Sequence, residues 1–159
     1  MSFILDAERS ADVVAAFERY RDYLQSVRDS FPACAFELAS SEWYFTPSDH
    51  RCPHDGWLEE VVVSESSSGS RHEQRTTSIR VRLRAAYHDG FIEFHYPQVF
   101  RYSLDTSDVS GGHRDWRYDE FRLSDAGRLL HEIEWCGPSD TGRWLIEASD
   151  VTFHWIPKP

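Results

Sequence analysis

Apolar residues recur at three- and four-residue spacing only near the N-terminus. In residues 7–29, "AERSADVVAAFERYRDYLQSVRD", the positions Val13, Phe17, Tyr20, Leu24 and Val27 fall on one face of a helix. Asp6 or Ser10 offers an N-cap, and Pro32 follows the end of the stripe. Beyond Pro32 the period shortens to two, which predicts strands at 35–46, 57–65, 72–87, 91–96, 99–105, 116–124, 128–136, 143–149 and 151–156. The joints are rich in Ser, Gly and Asp, as in "SSSGS", "TSDVSGGH", "SDAG" and "GPSDTG". None is long enough for a crossover helix, so neighbouring strands should run antiparallel. That many twisted strands curl or split into two layers. The pattern predicts an α+β fold. One N-terminal helix packs on a strongly curved, mainly antiparallel sheet of about eight strands, barrel-like or two-layer, in a single domain over 1–159.

Two hairpins can be read in detail. In "SIRVRLRAAYHDGFIEFHY" (78–96) a two-residue Asp89-Gly90 turn of type I′ would set Tyr87 opposite Ile92, Ala85 opposite Phe94 and Leu83 opposite Tyr96. All apolar side chains then share one face, with Arg80, Arg82, Arg84, Glu93 and His95 on the other. In "RYDEFRLSDAGRLLHEIEW" a type I turn closed by Gly127 in the left-handed region sets Leu123 opposite Leu129, Phe121 opposite His131 and Asp119 opposite Ile133, the preferred register; a loop one residue longer would instead set Phe121 opposite Leu130.

Composition narrows the class. The 159 residues are 40% hydrophobic and 14% aromatic, enough for a packed core. No apolar run reaches bilayer length, and the N-terminus lacks a basic region followed by an apolar one. Three cysteines, Cys34, Cys52 and Cys136, with no C-x-x-C, fit reduced thiols in a cytoplasm. The net charge of −10 opposes nucleic acid and anionic membranes as partners.

The candidate chemistry starts from a repeated hexapeptide, "HDGWLE" at 54–59 and "HDGFIE" at 88–93. The match extends in neither direction, so no duplicated unit is implied. His54, Asp55, His88, Asp89 and His113 sit at strand starts or in a Gly-containing loop, where nitrogen and oxygen ligands could converge on a divalent metal. There is no H-E-x-x-H helix, G-x-S-x-G elbow or P-loop. Cys52 between His50 and His54 is a candidate reactive thiol. The carboxylate pairs Glu59/Glu60, Asp119/Glu120, Glu132/Glu134 and Glu147/Asp150 suit acid–base work if gathered in a cleft, and cross-strand ladders with Arg80, Arg82, Arg84 and Arg122 otherwise. Trp57 and Trp116, beside turn residues, are expected to line a pocket or partner surface. No cofactor is expected, apart from the divalent metal of the second reading below. The expectation is a noncatalytic binding module for a small ligand or a protein partner, such as an immunity-type protein facing a basic target. It would use Trp57, Arg80, Arg82, Arg84, Glu93, His95 and Trp116. A metal-assisted hydrolase built on the five His and Asp residues is the second reading.

Overall fold

A computed structural model describes residues 2–5, 11–106, 108–137 and 140–159. Helix α1 spans Val13–Val27 and runs into a 3₁₀ turn at Arg28–Ser30. Its predicted start at 7–10, with caps Asp6 or Ser10, lies outside the described residues. Asp12 is the cap, its carboxylate accepting the Ala15 N–H at 2.9 Å. Ala16, Tyr20 and Leu24 carry the buried face, while Val13 is 41% exposed, so the stripe is one turn shorter than expected.

The segment 35–46 is not a strand. Helix α2 covers Ala33–Ser40, followed by a 3₁₀ turn at Glu42–Phe45. Ala35, Leu38 and Ala39 are its buried positions, at i, i+3 and i+4. The free N–H groups of Cys34 and Ala35 bond to the Asp150 carboxylate at 3.1 and 2.9 Å. That cap arrives from the far end of the chain.

Seven strands follow: β1 Trp57–Ser68, β2 Gln74–Arg84, β3 Gly90–Asp105, β4 Asp115–Leu123, β5 Leu129–Cys136, β6 Thr141–Ala148 and β7 Thr152–Pro157. The predicted runs 91–96 and 99–105 are one strand, β3, continuous through Pro97. All pairings are antiparallel. β1, β2, β3, β6, β5 and β4 bond in a ring, so the sheet is barrel-like rather than two-layered; β7 continues along β3 beyond β6. The ring is nearly open at one seam. β1 meets β4 only at Trp57–Asp115, with Asp55 and Gly56 bonding to Trp116 just before it.

Helix α1 closes the β4 side of that seam with hydroxyls instead of a strand. Tyr20 Oη donates to Phe121 O at 2.8 Å and accepts from Phe121 N at 2.9 Å. Tyr23 Oη accepts from Leu123 N at 2.8 Å. The backbone groups of a buried edge need such partners. On the outer face of β4 the fully buried Glu120 carboxylate accepts the N–H groups of Phe3, Ile4 and Leu5 at 3.0, 2.6 and 3.2 Å and pairs with Arg122. It ties the N-terminal segment to the sheet, and burial pushes its carboxyl above the usual range against the pull of those donors.

The hairpin at 123–129 has the predicted register, with Gly127 at φ +71°. The hairpin at 79–96 does not. Arg84 faces Phe91, Leu83 faces Ile92, Val81 faces Phe94 and Ile79 faces Tyr96, a slip of four residues from the expected pairing. The loop is longer: His88, at φ +60°, bonds back to Ala85 O, and Gly90 begins β3. An even slip keeps every side chain on its predicted face, so Ile79, Val81, Leu83, Ile92, Phe94 and Tyr96 are all buried. The barrel interior is filled by these residues, the helices, Trp116, Phe121, Ile133, Trp144 and Ile146. Among the described residues no helix is long and apolar enough to cross a membrane.

Candidate functional site

Two places among the described residues are candidate sites. The first is a polar chain in the core. A bulge between Trp116 and Tyr118 turns Trp116 and Asp119, three residues apart, to the same inner face of β4. Asp119 Oδ1 accepts from Trp116 Nε1 at 3.0 Å, and Oδ2 accepts from Tyr44 Oη at 2.6 Å and His131 Nε2 at 2.7 Å. Tyr96 Oη lies 2.6 Å from His131 Nδ1. Every member is satisfied when Tyr96 donates to Nδ1 and Nε2 carries the imidazole proton. Burial, and then the neighbouring Asp119, push the Tyr44 and Tyr96 hydroxyls well above the usual tyrosine range. The His131 ring stacks on Phe121 at 4.0 Å, and Phe94 stacks on Trp116 at 5.2 Å. Asp119 is the most exposed of Asp119, His131, Tyr44, Tyr96 and Trp116, at 3%. His131 and Tyr96 are fully buried, whereas Tyr44 and Asp119 also line a cavity of about 240 Å³ beside Cys52 and His54.

The second place is a cavity of about 720 Å³ at the rim, where β1 and β4 part. Trp57 and Leu58 line one side, and the loop carrying Gly111, Gly112, His113 and Arg114 lines the other. Trp57 is 49% exposed, and its Nε1 donates to Asp115 Oδ1 at 2.9 Å, which fixes the indole as a platform. His88 packs against that ring at 4.8 Å. Arg117, also at the cavity, pairs with Asp55 at 3.1 Å, whereas Arg114 has no ion-pair partner among the described residues. His113 is wedged against Trp135 and Trp144 at 5.6 and 5.4 Å, and burial lowers its pKa below the usual histidine value.

The remaining candidates are dispersed. Trp116 is fully buried and lines no surface, contrary to the expectation from its neighbouring glycines; the β4 bulge turns it inward. Arg80 pairs with Glu60 at 3.2 Å, Arg84 with Glu59 at 2.7 Å, and Arg82 with Glu93 at 3.6 Å while lying 4.4 Å over the Phe91 ring. His95 is exposed on the same outer face, opposite Arg80. Glu132, Glu134 and Glu147 pair with Arg122, Arg143 and Arg101. The carboxylates therefore form ladders rather than an acid–base couple.

The two His-Asp-Gly turns do meet at one end of the barrel, because Trp57 pairs with Arg84 across β1 and β2. They are different turns, with the positive φ at Asp55 in one and at His88 in the other. Their side chains are separately engaged. His54 Nδ1 donates to Arg117 O at 2.5 Å, its Nε2 lies 3.6 Å from Asp55, and Asp89 contacts His50. Among the described residues no three His, Cys, Asp or Glu side chains form a group able to hold a metal. Cys52 is 3% exposed, its thiol bonds to Tyr44 O, and burial pushes its pKa up to about 12, the opposite of activation. Comparison of the chain with family models, with curated proteins and with solved structures found no match.

Proposed function

We propose that this protein is a noncatalytic binding module that takes a small flat ligand into the rim cavity. The cavity itself carries the reading. Its volume falls in the range of small-molecule sites, and His113, Arg114, Asp115 and Arg117 converge on it beside the apolar Trp57 and Leu58. The anchored face of Trp57 offers a stacking surface, and the Arg114 guanidinium, which among the described residues forms no close ion pair and feels only the exposed Asp108 nearby, offers hydrogen-bond donors to an acceptor on the ligand. Cys52, the thiol flanked by His50 and His54 in sequence, does not suit nucleophilic catalysis, since it is buried and its pKa is high. The arginines of the outer face support a partner less well, since each already faces a carboxylate. The same pairing and the −10 charge speak against nucleic acid. Three unpaired cysteines support a reducing compartment such as the cytoplasm.

The test is retention of a ligand from the small-molecule extract of native cells, read by native mass spectrometry and by thermal shift. One molecule should stay on the wild type and be lost from Trp57→Ala and Arg114→Ala. Equal retention by all three proteins, or none by the wild type, would refute the cavity as the site.

A further inference from the structure

Strand β1 is bonded along one edge only. From Glu60 to Ser68 its partners are residues of β2, and the lone bridge to β4 is at Trp57. Among the described residues no strand pairs with the other edge beyond Trp57. That edge holds the run Glu59-Glu60-Val61-Val62-Val63-Ser64-Glu65, with Val63 40% exposed. Free edges are ordinarily blunted by lysine, proline or a bulge along their length. Here the single irregularity falls at Glu59, the first residue of the stretch, and from Glu60 onward there is no bulge, Lys or Pro.

Charge argues for what pairs there. The hairpin 57–84 holds five arginines against four glutamates, a balance of +1 in a chain of −10. Glu59, Glu60 and Glu65 are each paired with an arginine of β2. It is thus a stretch where two copies of an acidic protein can approach without the repulsion their net charge imposes elsewhere.

The strand is also complementary to itself. A two-fold axis perpendicular to an antiparallel pair must set one residue opposite its own copy. An axis at Val62 would place Glu59 opposite Glu65. An axis at Val63 places Val61 opposite Glu65, Val62 opposite Ser64, Glu60 opposite Ser66 and Glu59 opposite Ser67, so no like charges face each other. Val61 and Val63 lie on the inner face of the hairpin, opposite Val81 and Ile79, so this register also covers the exposed Val63.

We propose that β1 pairs with β1 of a second copy, antiparallel and centred on Val63, to make a continuous sheet across two barrels. One strand pair buries less than a standard interface, so the dimer should dissociate on dilution. Sedimentation velocity from about 1 to 200 μM should show a monomer–dimer equilibrium, with Kd in the micromolar range. Val63→Lys, at an exposed position, should leave the melting temperature near the wild type and abolish the dimer. In a Cys34→Ser background, Val63→Cys should cross-link on oxidation and Ser67→Cys should not, because only position 63 meets its own copy. A protein that is monomeric throughout this range, a dimer indifferent to Val63→Lys, or equal cross-linking at 63 and 67 would each overturn the proposal.

Discussion

Replacing Asp119 tests the reading of the buried polar chain. The side chain is 3% exposed and accepts three hydrogen bonds, one at Oδ1 and two at Oδ2. Asp119→Asn keeps the shape but offers one acceptor oxygen. That oxygen will sit where Tyr44 and His131 both donate, leaving the new amide N–H₂ against the Trp116 indole N–H. One buried donor loses its acceptor, at a cost of about 1–3 kcal/mol. Asp119→Ala strands all three donors. Simple addition gives roughly 3–9 kcal/mol, and relaxation of the Tyr44 hydroxyl should bring it to about 4. Against a total stability of order 5–15 kcal/mol, the alanine variant should be close to unfolding. Urea denaturation followed by far-UV circular dichroism, with equal m-values, supplies the comparison. A double-mutant cycle adds a sign. Trp116→Phe should be less damaging in the Asp119→Asn background by about 1–2 kcal/mol, because it removes the opposed donor. An Asp119→Asn protein within about 0.5 kcal/mol of the wild type, or strict additivity with Trp116→Phe, would refute the donor–acceptor assignment.

Gly90→Val should destabilise by about 1–3 kcal/mol through crowding, since a Cβ at Gly90 would lie 2.4 Å from the Trp155 ring and 3.0 Å from Ile156 O. Urea melts should show that cost shrinking in a Trp155→Ala background; an undiminished cost would point to the backbone instead. Thiol titration of the native protein with an aromatic disulfide should modify exposed Cys34 first, with Cys52 reacting only on unfolding, and early labelling of Cys52 would contradict its burial. His113 has a folded pKa below its unfolded value, so the folded state binds fewer protons; its contribution to stability is present above the unfolded value near 6.5 and is lost as pH falls through the folded one. The melting-temperature difference between the wild type and His113→Gln should therefore shift against the wild type between pH 7.5 and pH 5, and a constant difference would contradict the assignment.

The two hairpins show which features of the fold a sequence can carry. At 123–129 the turn needed a left-handed residue, and placing Gly127 there favoured the observed register over the alternative with Phe121 opposite Leu130. At 84–91 the alternation constrained parity alone. A slip of four residues leaves every side chain on its face, and the unforeseen left-handed residue, His88, gave no signal of the longer loop. Helix α2 was hidden for a different reason. It is short, its apolar set Ala35, Leu38 and Ala39 is small, and the carboxylate that caps it belongs to Asp150. A cap supplied by tertiary contact leaves no mark near the helix it stabilises.

The site divides along the same line. Trp57 directly follows a turn, and it lines the rim cavity proposed as the ligand site. Trp116 has a similar neighbourhood, yet one bulged residue reverses its side chain and turns an expected surface residue into the donor that holds Asp119. Asp119 and His131 carried a signal that charge counting obscured. The correct register had already set them opposite Ile133 and Phe121, on the inward face, where an unpartnered polar side chain is costly. Two such residues on adjacent strands imply partners inside the core, and the tyrosines that serve, Tyr44 and Tyr96, come from elements no local pattern connects to them. The rim cavity is further still from the sequence. It exists because β1 leaves β4 after one bridge and the Gly111–Gly112 loop approaches from the other side, so it is a property of how the ring fails to close. The same failure frees the β1 edge. The proposed ligand site and the proposed pairing edge share one open seam, so the two proposals together predict coupling: if Trp57 shifts on ligand binding, the strand it begins must shift with it. Ligand-loaded protein should then differ from ligand-free protein in its dimer dissociation constant, and identical constants would show that the seam's two ends act independently.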